Sequence, residues 1–195
     1  MDDLSALRER LRTQRPVAWE QLPDFSLYMD QVLSYMDRQI LRFDGDDTLT
    51  AAMVNNYTKS GLVPRADGKK YSREHLVYLT AICILKRVMS AKDMSVVLSA
   101  ELQCEDSITG FYEQFRESLD KDLNLITDMM EAYGEDDAVE AALHFALLSY
   151  AAGLASNRYV SLLRERAETA AAAQNPKEKS DKPSGGKKLK ETGLK

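Results

Sequence analysis

The stretch from Leu76 to Met89 leaves the chain few ways to fold. Leu76, Val77, Leu79, Ile82, Ile84, Leu85, Val88 and Met89 give it no polar stripe at helical or strand period. A helix that is apolar nearly all round must be buried. The spacing therefore predicts a central helix over 76–89, with the other elements gathered around it. Ser72 stands before it as an N-cap, and Cys83 reads as a small core hydrophobe.

The residues just upstream have the opposite chemistry. Thr50 is placed to cap a short helix over 51–60, and Ser60-Gly61 to stop it, because glycine accepts the left-handed conformation after a helix. Leu62-Val63-Pro64-Arg65 and Lys69-Lys70-Tyr71 then flank Ala66-Asp67-Gly68. Asp-Gly between short arms predicts a hairpin closed by a type I′ turn. Before Thr50, a helix over 25–42 is expected, with Asp24 as N-cap and Phe25, Met29, Val32, Met36, Ile40 and Phe43 on one stripe; turn residues follow over 43–48. A short amphipathic helix over 2–14 ends before Pro16, and Trp19 is expected to pack on the core.

Downstream, Ser90 and Asp93 resemble a capping box opening a helix to about Leu98. Two helices follow over 107–119 and 122–133, the second stopped by Gly134. A long one runs over 137–170 with Glu135, Asp136 and Asp137 at its positive end. From Gln174 on, Lys, Gly, Ser and Pro dominate, and a disordered end is expected. The reading is an all-α chain with one small β-hairpin wing. It divides into a connector region (1–20), a winged helix-turn-helix (21–100), an acidic helical subdomain (101–172) and a basic tail (173–195).

Charge follows the same divisions. Residues 47–92 hold eight Lys/Arg against three Asp/Glu, a net of +5. Residues 101–140 hold two against thirteen, a net of −11, and residues 176–195 hold seven against three, a net of +4. Such blocks suggest different partners for different parts. An acidic half would be held away from DNA and would turn the basic face toward it; the plainer alternative is a solvated helix face. The N-terminus has no apolar leader core, and the apolar run 141–155 reads as too short and interrupted to span a bilayer. Cys83 and Cys104 fit neither a redox nor a zinc spacing. A cytoplasmic protein without a membrane span is expected.

Converging catalytic groups are not visible. His75, near a helix start, and His144, inside an apolar run, both read as satisfied core residues. No phosphate loop, calcium loop or cofactor motif is present, so neither an enzyme nor a cofactor is expected. The basic segment fits a binding role instead. Asn55, Asn56 and Thr58 on helix 51–60 could meet base edges, with Thr50 at its start. Lys59, Arg65, Lys69, Lys70 and Arg73 could neutralise phosphates, and Tyr57 and Tyr71 could lend hydroxyls to them. Double-stranded DNA is the expected partner. The alternative is a protein-interaction module that uses the same helix and hairpin.

Residues 49–98 resemble the winged helix-turn-helix of MerR-type transcription regulators. That pattern has a short helix ending in Tyr, then Gly-Leu-Leu-Pro, a wing closing on a base and Tyr, and Ser at the next helix start. Tyr57, Gly61, Leu62, Val63 and Pro64 match its first part, Lys70, Tyr71 and Ser72 the wing end, and Met89, Ser90 and Met94 the last helix opening. Asn55 stands where those regulators carry an Arg that grips the DNA backbone, and Asn56 replaces the first Tyr of their pair. No cysteine cluster for a metal sensor follows the wing, and sustained heptads are absent after residue 99. More closely, "LPDFSLYMDQVLSYMDRQI", "MVNNYTKSGLVP" and "KKYSREHLVYLTAICILK" resemble the bacterial family called domain of unknown function 1836. This resemblance covers most of 20–170 and implies a MerR-like fold and a regulator's role, without an assigned activity. A homodimer is expected from the apolar run 141–155 and from the two-fold symmetry common in DNA readers. A small-molecule effector is compatible with such a regulator, but no residue points to one.

Overall fold

The computed structural model describes residues 3–39, 48–104 and 107–174. Its elements are α1 (Asp3–Thr13), a 3₁₀ turn (Trp19–Gln21), β1 (Leu27–Tyr28), α2 (Met29–Gln39), α3 (Ala51–Lys59), β2 (Lys70–Tyr71), α4 (Arg73–Leu85), α5 (Ala91–Cys104), α6 (Ile108–Met130) and α7 (Ala138–Gln174). The fold is mostly helical with one small two-stranded sheet. The expected turn over 43–48 falls almost wholly outside the described residues, as do Ile40, Phe43 and the tail from 175.

α4 is the central helix that its composition requires. Leu76, Val77, Leu79, Ala81 and Ile82 are fully enclosed, and Cys83 is buried. Thr80 is tolerated there because its hydroxyl donates to the Leu76 carbonyl one turn back, 2.8 Å away. Around α4 the core collects Val32 and Met36 from α2, Val54 from α3, Met94 and Leu98 from α5, and Phe111 and Tyr112 from the start of α6. Truncating a side chain such as Leu79 to alanine here costs about 2–5 kcal/mol. The helix stops at Leu85, short of the expected Met89, and Val88 is exposed. Residues 86–89 form the turn that delivers Ser90 to its cap. There the Ser90 hydroxyl donates to Asp93 at 2.6 Å and accepts the Asp93 amide at 3.2 Å.

Several expected boundaries move. The segment before α2 is not helical. Leu27 and Tyr28 pair antiparallel with Tyr71 and Lys70, and Gln31 caps the Tyr28 amide at 2.9 Å. Asp24 is thus no N-cap, and Phe25 is exposed instead of lying on the core stripe. α5 runs on to Cys104 rather than Leu98. The helices expected over 107–119 and 122–133 are one: no Gly or Pro interrupts 119–122, and α6 continues through it from its Ser107 cap. α7 carries the 141–155 run within 37 continuous residues. By length and composition alone the whole of Ala138–Ala171 is long and apolar enough to cross a membrane, a longer span than the run 141–155 considered from sequence.

α1 lies along α6 and answers part of its acidity. Arg8 donates to the Met130 and Tyr133 carbonyls at the C-terminal end of α6, at 2.8 and 2.6 Å. Arg12 pairs with Glu131, and Arg15 with Asp120 and Asn124. The connector is held as well, since the Tyr112 hydroxyl donates to the Val17 carbonyl and Arg116 to that of Pro16. Burial pushes the Tyr112 phenol pKa up, so it stays a donor. Part of the acidic block is therefore an intramolecular seat for arginines rather than a purely solvated face.

Candidate nucleic-acid interface

α3 is defined at both ends by local chemistry. Thr50 Oγ1 accepts the Met53 amide at 3.2 Å, as an N-cap does. At the other end Gly61 takes φ +75°, the Leu62 amide returns to the Tyr57 carbonyl at 2.9 Å, and the Gly61 amide goes to Thr58 at 3.2 Å. These two bonds make a complete Schellman stop. The Val63 amide also goes to Tyr57, and Pro64 has no N–H to offer. The 62–64 arm has thus spent its donors before the wing begins, and β2 pairs with Leu27–Tyr28.

The hairpin tip survives as a short turn. Asp67 and Lys70 exchange backbone hydrogen bonds at 3.1 and 3.0 Å, which makes Gly68 and Lys69 the central pair. Only Gly68 has positive φ, at +61°. Glycine first with an ordinary residue second is the type II′ pattern, not the expected type I′ centred on Asp-Gly.

The wing is clasped at its base by His75. Its Nδ1 accepts the Ser72 amide at 3.0 Å, which places the proton on Nε2, and Nε2 donates to the Arg65 carbonyl at 3.3 Å. Histidine here fills the position that Glu or Gln takes in a capping box. Tyr71 packs edge-on against the same ring, centroids 5.5 Å apart. The expectation that His75 is a satisfied core residue holds, but its part in closing the wing was not anticipated.

The expected contact residues separate into two groups. Asn55, Asn56 and Lys59 on α3, and Arg65, Lys69 and Lys70 on the wing, are all exposed, as is the capping Thr50. No described acid pairs with Lys59, Arg65, Lys69 or Lys70; the Lys70 ammonium lies 5.7 Å from the centre of the Tyr28 ring. The others are committed inward. Tyr71 is buried at 6% exposure, which removes it as a phosphate ligand. Tyr57 packs against the core, and burial, with the Cys83 thiol adding to it, pushes its phenol pKa up. The Thr58 hydroxyl donates to the Val54 carbonyl at 3.0 Å. Arg73 lies over the Trp19 ring at 5.1 Å and reaches the Pro23 carbonyl at 3.4 Å. Trp19 and Tyr28 are partners that sequence alone did not connect to these bases, because they sit before α2.

Behind the α3 stop lies an open cleft of about 180 Å³ lined by Leu62, Pro64, Tyr78, Leu98 and Leu102. It is smaller than the roughly 300–1,000 Å³ usual for small-molecule sites and gives no support to an effector. A family model described as "Domain of unknown function (DUF1836)" matches residues 17–115, just over half of the 195-residue chain. That span holds the α4-centred core together with α3 and the wing. No curated protein and no solved structure matches the chain significantly.

Proposed function

The chain belongs to the family described as domain of unknown function 1836, and from the surface of that family segment we propose that it is a cytoplasmic, DNA-binding transcription regulator of MerR-like winged helix-turn-helix type. One observation carries this reading. Four exposed bases without an acid partner among the described residues, Lys59, Arg65, Lys69 and Lys70, accompany a short capped helix that presents Asn55 and Asn56 to solvent. Other bases are bound into the fold: Arg8, Arg12, Arg15, Arg116 and Arg164 all hold carbonyls or carboxylates. A nine-residue helix is roughly 13 Å long, a length the major groove accommodates. In this reading α3 enters the groove, its asparagines meet adenine edges, and the wing bases take flanking phosphates.

The test is binding of the full chain to labelled fragments of its own genome across a salt series. Affinity for duplex DNA should fall steeply with salt. Asn55→Ala and Asn56→Ala should weaken preferred over non-preferred fragments and leave the salt slope nearly unchanged. A chain that binds no fragment at low salt is not a DNA reader, and the protein-interaction alternative then takes its place.

A further inference from the structure

α7 leaves one face uncovered. Val139, Leu143, Leu147, Tyr150 and Leu154 are exposed, from 56% at Leu154 to 86% at Val139. At 100° per residue they fall within an arc of about 80°, so they form one continuous apolar stripe. Between Ala141 and Asn157 the helix carries no Asp, Glu, Lys or Arg. The stretch is bounded by Glu140 on one side and Arg158 on the other. These lie 18 residues apart, which is about five turns, so they occupy the same edge of the stripe.

We infer that this face of α7 is covered by the same face of a second copy of the chain, running antiparallel about a two-fold axis. The charge pattern selects both the occupant and the direction. An antiparallel two-fold sets each edge of the helix against the same edge reversed. Arg158 bonds Glu165 within its own helix at 3.2 Å and keeps further guanidinium donors; Glu140 then meets those of Arg158 in the second copy, twice, while Leu143 packs on Leu154 and Leu147 on Tyr150. A parallel pair would turn the edge with Glu140 and Arg158 toward the opposite edge of the second helix, which is uncharged between Ala141 and Asn157, so neither charge would meet a counter-charge. A bilayer is the poorer occupant because both ends of the stretch are tied to the protein. His144 and Phe145 pack on the Tyr133 ring at 5.8 and 6.1 Å. Farther along, Val160 is buried and Arg164 pairs with Asp93 of α5. The uncharged stretch also spans only about 25 Å, less than the ~30 Å hydrocarbon core.

Sedimentation equilibrium of the full chain, with no nucleic acid present, tests this independently of DNA binding. The expected result is a dimer that Leu147→Glu weakens by more than about thirtyfold, without loss of helical circular dichroism. Since Leu147→Glu could disturb folding, a charge exchange provides the second arm. Glu140→Arg and Arg158→Glu should each weaken the dimer, and the double variant should recover it. Co-sedimentation with neutral and anionic phospholipid vesicles forms the third arm. A chain that stays monomeric at all concentrations overturns the inference, whether or not it binds vesicles. So does a dimer indifferent to Leu147→Glu, or one that the double exchange weakens further.

Discussion

The Nε2 of His75 donates to the carbonyl of Arg65 across ten residues, at 3.3 Å, and so ties the start of the wing to the first turn of α4. The other ring nitrogen holds the Ser72 amide where the wing returns. Replacing His75 with alanine leaves both backbone groups without their partner and should cost about 1–3 kcal/mol. His75→Gln can still reach the Ser72 amide as a capping-box residue and should recover part of that loss. Urea denaturation measures the order, and amide exchange at Ser72 should quicken in the alanine variant alone. Equal stability of the two variants would mean that the Ser72 bond contributes nothing.

Gly61 offers a cleaner separation of backbone from packing. An added Cβ would meet no atom within 4 Å, yet φ is +75°. The whole cost of Gly61→Ala is therefore conformational, about 1–2 kcal/mol. Gly61→Asn should cost less, since asparagine visits this region more readily. Both should shift the urea midpoint without changing its slope, because the surface exposed on unfolding is unchanged.

Asp93 gives the fold a measurable acid sensitivity. Its carboxylate accepts the Ser90 hydroxyl, which is the main cause holding its pKa below the usual 3.8; desolvation works against this, and the Arg164 guanidinium lowers it further. A carboxylate whose folded pKa is depressed contributes stability that is full above its unfolded value and is lost as pH falls through the lower folded one. Between pH 7 and pH 3 the native chain should therefore lose more thermal stability than Asp93→Asn does. Melting curves at the two pH values decide it, and equal losses would show that this carboxylate is not linked to folding.

What the sequence made legible was mostly local. Thr50, Gly61, Ser90 and Asp93 announce their caps through residue type and spacing, because each cap is completed within a few residues. The Leu27–Tyr71 pairing was not visible: a two-residue strand carries no periodic signal, and its partner lies 44 positions on. The failed 62–64 arm could have been foreseen by counting donors, since Pro64 has none and a Schellman stop consumes that of Leu62. Inside the candidate interface, exposed Lys69 and Lys70 run directly into buried Tyr71 and half-buried Arg73, so composition marked a basic patch without separating Lys70 from Tyr71. Arg73 looked like one more wing base because its partner Trp19 lies far upstream.

That last distinction yields a test of how the basic segment divides its labour. Lys69 is exposed at the hairpin tip and unpaired among the described residues, so on the proposed reading Lys69→Ala should reduce the log–log salt slope of DNA binding by about 0.9. Arg73 is half-buried over Trp19, and a cation–π contact of this kind is worth about 0.5–1 kcal/mol. Arg73→Ala should accordingly lower the melting temperature while leaving the slope within error of the native chain. Measured together, the two variants separate a base that meets phosphate from one that fastens the connector to α4. A slope that falls equally in both would place Arg73 on the DNA and take the Trp19 contact out of the binding-competent state.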